Sequence, residues 1–412
     1  MQQCPWSPPL PVHRQAHDHD RQRDPGSLLQ TLCIVLRHQL ARAAPPLLSP
    51  AGLQRCRSAN QSNFWHSVRP HLTQIQIDMN ILVVGFYGVL NAGDDLLQNA
   101  LTWLFQGYRL TFTRTLPHQE AIQQFDLLVV GGGSLWPQHS FFALGDDYAR
   151  SLRIPYMVLG VSARSYDKET ARRTRALIDR AVLFHVRDMQ TAQWLDHPKV
   201  HSGPDLFWTA PWFGDSKITS MPGNGIAFAP RSTVHAEWAV ATCMKALQPF
   251  GQVHPWPFFY GDPRADNATA NDFDLLHAEI EQTPQSFTFE PLFLSAAAFT
   301  MRYHGLLCAL RAGRPVLVGD THAKLEIFCR ENGLPSWHVS SPAALAGKAQ
   351  DLRNNLESGR NIALNLRTKL LAEGQSLAQL VRERTKALPP RKIPIHRVFL
   401  ANQLRNVLAR IS

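Results

Sequence analysis

AFTMRYHGLLCALRAGRPVLVGDTHAKLEIF, residues 298–328, reads as strand, helix, strand and the start of a second helix. Ala298 to Arg302 is a short apolar strand. Gly305 opens a helix to about Arg311, Gly313 closes it, and Pro315 leads into the strand Val316 to Gly319. Arg302 and His304 stand two apart in the extended segment, so their side chains are expected on one face. That face lies at the carboxyl end of a strand beside a helix N-terminus, where open α/β sheets bind ligands and anions are favoured. A permanent cation beside a group that titrates near neutrality suits a phosphorylated or carboxylated substrate that also needs a proton. A structural pair satisfied by backbone carbonyls is the competing reading.

The same strand–helix alternation extends upstream. Met79 to Gly85 is an apolar strand, and Gly85-Phe86-Tyr87-Gly88 with Asn91-Ala92-Gly93-Asp94-Asp95 leads from it into a helix running to about Gln106. The spacing matches neither GxGxxG nor GxxxxGK[ST], so no nucleotide motif is supported. Asp94 reads either as a helix cap or as a ligand group, and Asn91 is harder to explain as structure alone. Asp126 to Val130 is a strand ending in Gly131, Gly132 and Gly133, more glycines than a tight turn needs. His139 lies just beyond. Val182 to Val186 runs into Arg187-Asp188, with Asp188 as helix cap and salt-bridge partner the structural alternative for Arg187. Lys324 begins the helix after the Val316 strand, at the same edge. This pattern predicts two doubly wound, Rossmann-like α/β domains facing across a cleft, over 79–215 and 222–385.

Composition bounds the function. The net charge of +10 is carried by the ends: residues 1–78 contribute +4 and residues 386–412 contribute +6, so the body is neutral. A nucleic-acid-binding core is therefore not expected. Residues 1–78, rich in Pro, Gln, His and Arg, read as a disordered or non-native leader ahead of a start at Met79. Six scattered cysteines without CxxC spacing predict reduced thiols, no zinc site and a cytoplasmic protein. From Arg397 to Ile411 the apolar residues share one helical face. That tail is expected to pack on the first domain or to touch the inner membrane face weakly.

Taken together, these motifs resemble the polysaccharide pyruvyl transferase family over about residues 79–335. Gly85 to Gly88 with Asn91 to Asp95 is similar to its opening pattern, Asp126 to Ser134 to its strand and triple glycine, and Val186-Arg187-Asp188 to its VRD step. Arg302-x-His304-Gly305 with Pro315 and Lys324 is similar to its C-terminal signature. The resemblance implies a glycosyltransferase-B-like architecture. It also implies transfer of pyruvate from phosphoenolpyruvate onto sugar hydroxyls, as a ketal, on an exopolysaccharide, a cell-surface glycan or a lipid-linked precursor. On that reading Arg187 and Arg302 hold the donor's anionic groups, His304 moves a proton and Lys324 neutralises departing phosphate. Asn91, Gly93, Asp94 and Gly131 to Gly133 contact substrate. No cofactor is expected, although Asp94 and Asp95 could hold Mg²⁺. A sugar-nucleotide glycosyltransferase and a non-catalytic glycan-binding protein are the rival classes. Nucleotide release, or no turnover with any donor, would distinguish them. The acceptor sugar and oligomeric state are not readable from the sequence.

Overall fold

The computed structural model describes residues 79–136, 139–163, 165–213, 223–232, 238–263, 270–319 and 323–389. The leader, the basic tail from residue 390 and most of the 211–224 linker fall outside the described residues.

In the first half β1 (Asn80–Val84), α1 (Ala92–Leu104), β2 (Arg109–Thr113), α2 (Gln119–Ile122), β3 (Leu127–Trp136), α3 (Ser140–Ser151), β4 (Tyr156–Ala163), α4 (Lys168–Arg180), β5 (Leu183–Val186), α5 (Met189–Leu195) and β6 (Val200–Ser202) follow in order. The six strands form one parallel sheet, ordered β2-β1-β3-β4-β5-β6. The second half has β7 (Ile226–Ala229), α6 (Val240–Ala246), β8 (Val253–Pro255), α7 (Asp272–His277), α8 (Glu290–Phe293), β9 (Ala297–Thr300), α9 (Tyr303–Arg311), β10 (Val316–Gly319), α10 (Ala323–Glu331), β11 (His338–Val339), α11 (Pro342–Asn354) and α12 (Leu356–Lys386). Its five strands are also parallel, ordered β11-β10-β9-β7-β8. The central strands β1, β3, β4, β5, β7, β9 and β10 are buried almost throughout and read as apolar runs without alternation, because helices cover both faces of the sheets there, whereas the edge strands β2 and β6 are exposed or half-buried. This is the doubly wound α/β architecture expected from the sequence.

The largest apolar cluster joins the halves: Leu97 and Leu101 of α1, Trp208 and Trp212, Leu306 and Leu310 of α9, and Leu377 and Val381 of α12 pack together. The helix α12 returns from the second half to the first. Its Gly374 lies against Trp208, where a Cβ would run into the Trp208 carbonyl, and Arg367 Nε donates to the Arg311 carbonyl at 3.0 Å. A helix of 31 residues spans roughly 46 Å, long enough to cross both halves.

Local boundaries differ from the sequence expectation in two places that matter for the site. The strand around Phe299 ends at Thr300, not Arg302, and helix α9 begins at Tyr303 with Arg302 as its N-cap residue. Thr300 forces the early turn: its Oγ1 accepts from the Arg302 N–H at 2.9 Å and donates to the Arg302 carbonyl at 3.1 Å. Second, Gly131 to Gly133 do not follow β3 but lie inside it, buried, with an irregular register towards β4 between Gly133 and Trp136.

Candidate active site

The cleft between the halves gathers residues that follow the carboxyl ends of β5, β6, β9 and β10, which is where parallel sheets expose N–H groups and loops to ligands. At its centre is Asp205, whose side chain is completely buried. One Asp205 oxygen accepts from the Phe207 N–H at 2.9 Å, and the other from Arg187 Nη1 at 2.7 Å. Burial alone would raise this carboxyl, but Arg187, His304 and the Phe207 N–H outweigh it and hold it below the usual range. Arg187 also donates from Nη2 to Ser134 Oγ at 3.0 Å and to Ser162 Oγ at 2.8 Å. Its guanidinium stacks over Tyr303, 4.4 Å from the ring centroid, and Lys324 Nζ stands 5.7 Å from the same centroid. Asp188 does cap α5, accepting from the Thr191 N–H at 2.7 Å, but the partner of Arg187 is Asp205.

His304, the second residue of α9, reaches the same carboxylate: its Nε2 is 3.9 Å from Asp205 Oδ2 and makes no hydrogen bond among the described residues. Burial pushes its imidazolium down to about 3, with Asp205 opposing and Arg187 and Lys324 adding to the fall. It is thus a neutral imidazole at pH 7 and does not titrate near neutrality in this state. Arg302 turns elsewhere. Its guanidinium engages Asp272 in two hydrogen bonds, from Nε at 2.9 Å and from Nη2. Asp272 in turn accepts from the N–H groups of Phe258 and Phe259, both at 3.1 Å. The expectation that Arg302 and His304 leave one face is therefore overturned, because the helix starts before His304.

The loop fastened by Asp272 meets the first glycine loop across the cleft. Ala92 N–H donates to the Phe258 carbonyl at 2.7 Å, and Asn91 and Phe259 form an antiparallel bridge. Asn91 caps α1 by accepting from the Gly93 N–H at 3.1 Å, so the cap is Asn91 and not Asp94. Gly93 lies directly beneath His304, and a Cβ there would collide with His304 Nδ1. Gly93→Ala is therefore expected to push the imidazole aside, costing about 1–3 kcal/mol as an overpacked site. A thermal melt checks this, and an unchanged midpoint would show that the helix shifts freely.

Of the three strand glycines, Gly131 faces the Leu159 carbonyl and accepts from the Tyr87 hydroxyl through its own carbonyl at 2.5 Å. Gly132 and Gly133 have φ of 79° and 101°, and a Cβ on Gly133 would sit 3.6 Å from Asp94 Oδ1. Close approach of protein backbone thus accounts for Gly131, and backbone conformation for its two neighbours. Among the described residues no group of three His, Cys, Asp or Glu side chains is placed to hold a metal ion. His139 serves as the N-cap of α3, its Nδ1 accepting from the Phe141 N–H at 3.2 Å.

Two residues were missed in the sequence. Asp205 follows a Gly-Pro pair and reads as a turn residue. His185 sits inside an apolar strand; its Nδ1 accepts from the Gly160 N–H at 3.1 Å, so Nε2 carries the proton, and that atom is buried without a hydrogen-bond partner among the described residues. Burial pushes it down to about 4, with Asp205 opposing and His201 adding. A cavity of ≈ 630 Å³ opens beside this cluster, lined among others by His185, Arg187, Asp205, Tyr303, Lys324 and Glu331. Glu331 closes part of its rim by accepting from the N–H groups of Met189 and Gln190, at 3.3 and 3.2 Å.

Residues 63–241 match the polysaccharide pyruvyl transferase family. The matched segment carries Asn91, Gly93, Asp94, the three strand glycines, Arg187 and Asp205, while His304 and Lys324 lie beyond it. That match supports a transferase. No curated protein matches the sequence. Among solved structures, Anabaena Alr3699/HepE in complex with UDP and glucose aligns with a TM-score of 0.50 at 11% identity, over 75% of this chain and 100% of that one. The same protein with UDP-glucose gives 0.50 at 12%, again over 75% and 100%. A putative UDP-N-acetylglucosamine 2-epimerase from Listeria monocytogenes gives 0.48 at 12%, over 77% and 100%. At such identities the two likenesses at 0.50 concern the fold alone, two Rossmann-like domains of the glycosyltransferase-B kind.

Proposed function

We propose that the protein transfers the pyruvyl unit of phosphoenolpyruvate to hydroxyls of a polysaccharide or its lipid-linked precursor. The observation that carries this reading, beside the family match, is the pair of cations over Tyr303 at the cavity wall, Arg187 and Lys324. Phosphoenolpyruvate brings a phosphate and a carboxylate, and such groups favour a planar guanidinium and an ammonium in a partly closed site.

The reaction adds a proton to the methylene carbon and forms a bond from each of two sugar hydroxyl oxygens to the adjacent carbon. The bond from that carbon to the phosphate oxygen breaks. Of the two hydroxyl protons released, one balances the new methyl group and the other leaves on phosphate. Neutral His304 is a poor acid in the free protein. A dianionic phosphate entering beside it favours the imidazolium and raises its pKa, so the donor would itself arm the acid. In this assignment Lys324 stabilises the departing phosphate, and Asp205 orients Arg187. Arg302 acts at a distance, holding Asp272 and through it the Phe258–Phe259 segment that presses on Asn91 and Ala92. Asn91, Gly93 and Asp94 then border the donor from the first half, and the acceptor enters from the open side of the cavity. No helix among the described residues is long and apolar enough to cross a membrane. On this reading a lipid-linked acceptor is met by peripheral contact at the cytoplasmic face.

The test is acceptor-dependent phosphate release from phosphoenolpyruvate with a matching mass gain on the glycan. Lys324→Met should lower turnover by on the order of a hundredfold while the melting temperature stays within a degree or two, since Lys324 is half-exposed. Release of nucleotide from a sugar nucleotide, with none of phosphate, would assign the cavity to glycosyl transfer instead.

A further inference from the structure

The cavity beside Arg187 is also lined by α12, which the steps above do not use. Lys369, Ala372, Glu373, Ser376 and Leu380 all border it. At 3.6 residues per turn these positions fall within an arc of roughly 100°, so one face of the helix is turned to the cavity. Leu370 and Leu377 mark the edge where the helix turns into the core, and Gly374 next to them rests on the Trp208 carbonyl. The stripe is open. Ala372 and Ser376 are exposed, and the Glu373 side chain keeps 43% of its surface.

Glu373 is the carboxylate at this cavity with lone pairs to spare. Lys369, its ion-pair partner, stands 3.9 Å away, beyond hydrogen-bond distance, and Glu373 accepts no hydrogen bond among the described residues. With Lys one turn before Glu, the pair is also in the weaker order for stabilising a helix. The other carboxylates lining the cavity are engaged. Asp205 is held by Arg187 and the Phe207 N–H, Asp188 by the Thr191 N–H, and Glu331 by the N–H groups of Met189 and Gln190. Ser376 Oγ donates to the Ala372 carbonyl at 2.9 Å, which leaves its lone pairs to accept.

We propose that this stripe of α12 binds an uncharged sugar unit, with the Glu373 carboxylate accepting from two neighbouring hydroxyls and Ser376 Oγ from a third. On the pyruvyl-transfer reading, on which this assignment rests, that unit belongs to the acceptor. A carboxylate is unfavourable beside the phosphate and carboxylate of the donor. A polyol is the opposite case, since its hydroxyls donate and charge-assisted bonds to an ionised acceptor are the strong ones. The small side chain of Ala372 leaves room on the same face for the apolar side of a sugar ring. A volume of ≈ 630 Å³ is of the size that encloses a drug-sized ligand, more than phosphoenolpyruvate alone fills.

Saturation-transfer NMR on the full chain without donor, using the methyl glycosides of glucose, galactose and mannose, reads this binding directly. At least one glycoside should receive saturation. Glu373→Ala should raise its dissociation constant by about tenfold or more, and Ala372→Trp, which fills the stripe, should abolish the signal. Neither side chain is buried, so both variants should melt within a degree or two of the wild type. The rise in melting temperature produced by phosphoenolpyruvate should persist in Glu373→Ala, because Arg187 and Lys324 are untouched. Glycoside binding that both variants lose, in a protein that phosphoenolpyruvate does not stabilise, would uphold the sugar site and overturn the transfer reading. Equal glycoside binding by wild type and Glu373→Ala, or no saturation of any of the three glycosides, would overturn the α12 site.

Discussion

Asp205→Asn is expected to lower stability more than any other single change in the cleft, and to lower turnover with it. The substitution keeps the shape and a hydrogen-bond acceptor for the Phe207 N–H, but it leaves the Arg187 guanidinium, only 2% exposed in its side chain, without a counter-charge. Breaking one partner of a buried pair costs about 3–5 kcal/mol, on the order of 10 °C in a melt. The exposed pair Arg175–Asp196, separated by 3.9 Å, is the internal control: Asp196→Asn should change stability by less than about 0.5 kcal/mol. Turnover should fall by roughly a hundred- to a thousandfold as Arg187 loses its orientation. Pairing Asp205→Leu with Arg187→Met should recover much of the stability, since an apolar pair replaces an ionic one, and none of the activity. Recovery of stability without activity separates an orienting role from a structural one. An Asp205→Asn protein that melts with the wild type would show that Arg187 finds other partners at no cost.

How far the sequence discloses this cluster depends on the range of each interaction. Strands such as Leu127 to Val130 and Val316 to Val318 are buried on both faces, so their apolar runs announce themselves locally, and the alternation with helices follows. Arg187, His304 and Lys324 are visible because each is a polar residue at the end of such a run. Their partners are not. Asp205 lies 18 residues beyond Arg187 and Asp272 lies 30 residues before Arg302, and nothing in either local pattern distinguishes a carboxylate destined for burial from a turn or cap residue. The division of Arg302 and His304 between two carboxylates rests on where α9 begins. That is decided by the hydroxyl of Thr300, an atom no periodicity reports. Gly131 is ambiguous in the sequence for a related reason. Close approach by a neighbouring strand and close approach by a ligand demand the same residue.

His304 carries the second large effect, and its sign with pH follows from burial. The imidazole is held down at about 3 and His185 at about 4, against about 6.5 in an unfolded chain. Below pH 6.5 the unfolded chain binds protons that the folded one refuses, so stability falls as pH drops, progressively until the folded values are reached. At pH 5 each imidazole costs about 2 kcal/mol relative to neutral pH. The lowered carboxyl of Asp205 acts in the same direction, since its contribution is present above its unfolded value and lost as it is protonated in the fold. Wild-type protein should therefore melt several degrees lower at pH 5 than at pH 7. His304→Gln, which has no group to protonate, should flatten that dependence by about 2 kcal/mol. The same variant retains approximate size but cannot move a proton. Its turnover with phosphoenolpyruvate should drop by roughly a hundred- to ten-thousandfold, with KM for the donor nearly unchanged because Arg187 and Lys324 remain. These two readouts are independent. A flattened pH–stability profile with near wild-type turnover would confirm the buried neutral imidazole and falsify its role as the acid, passing that role to a group such as His185.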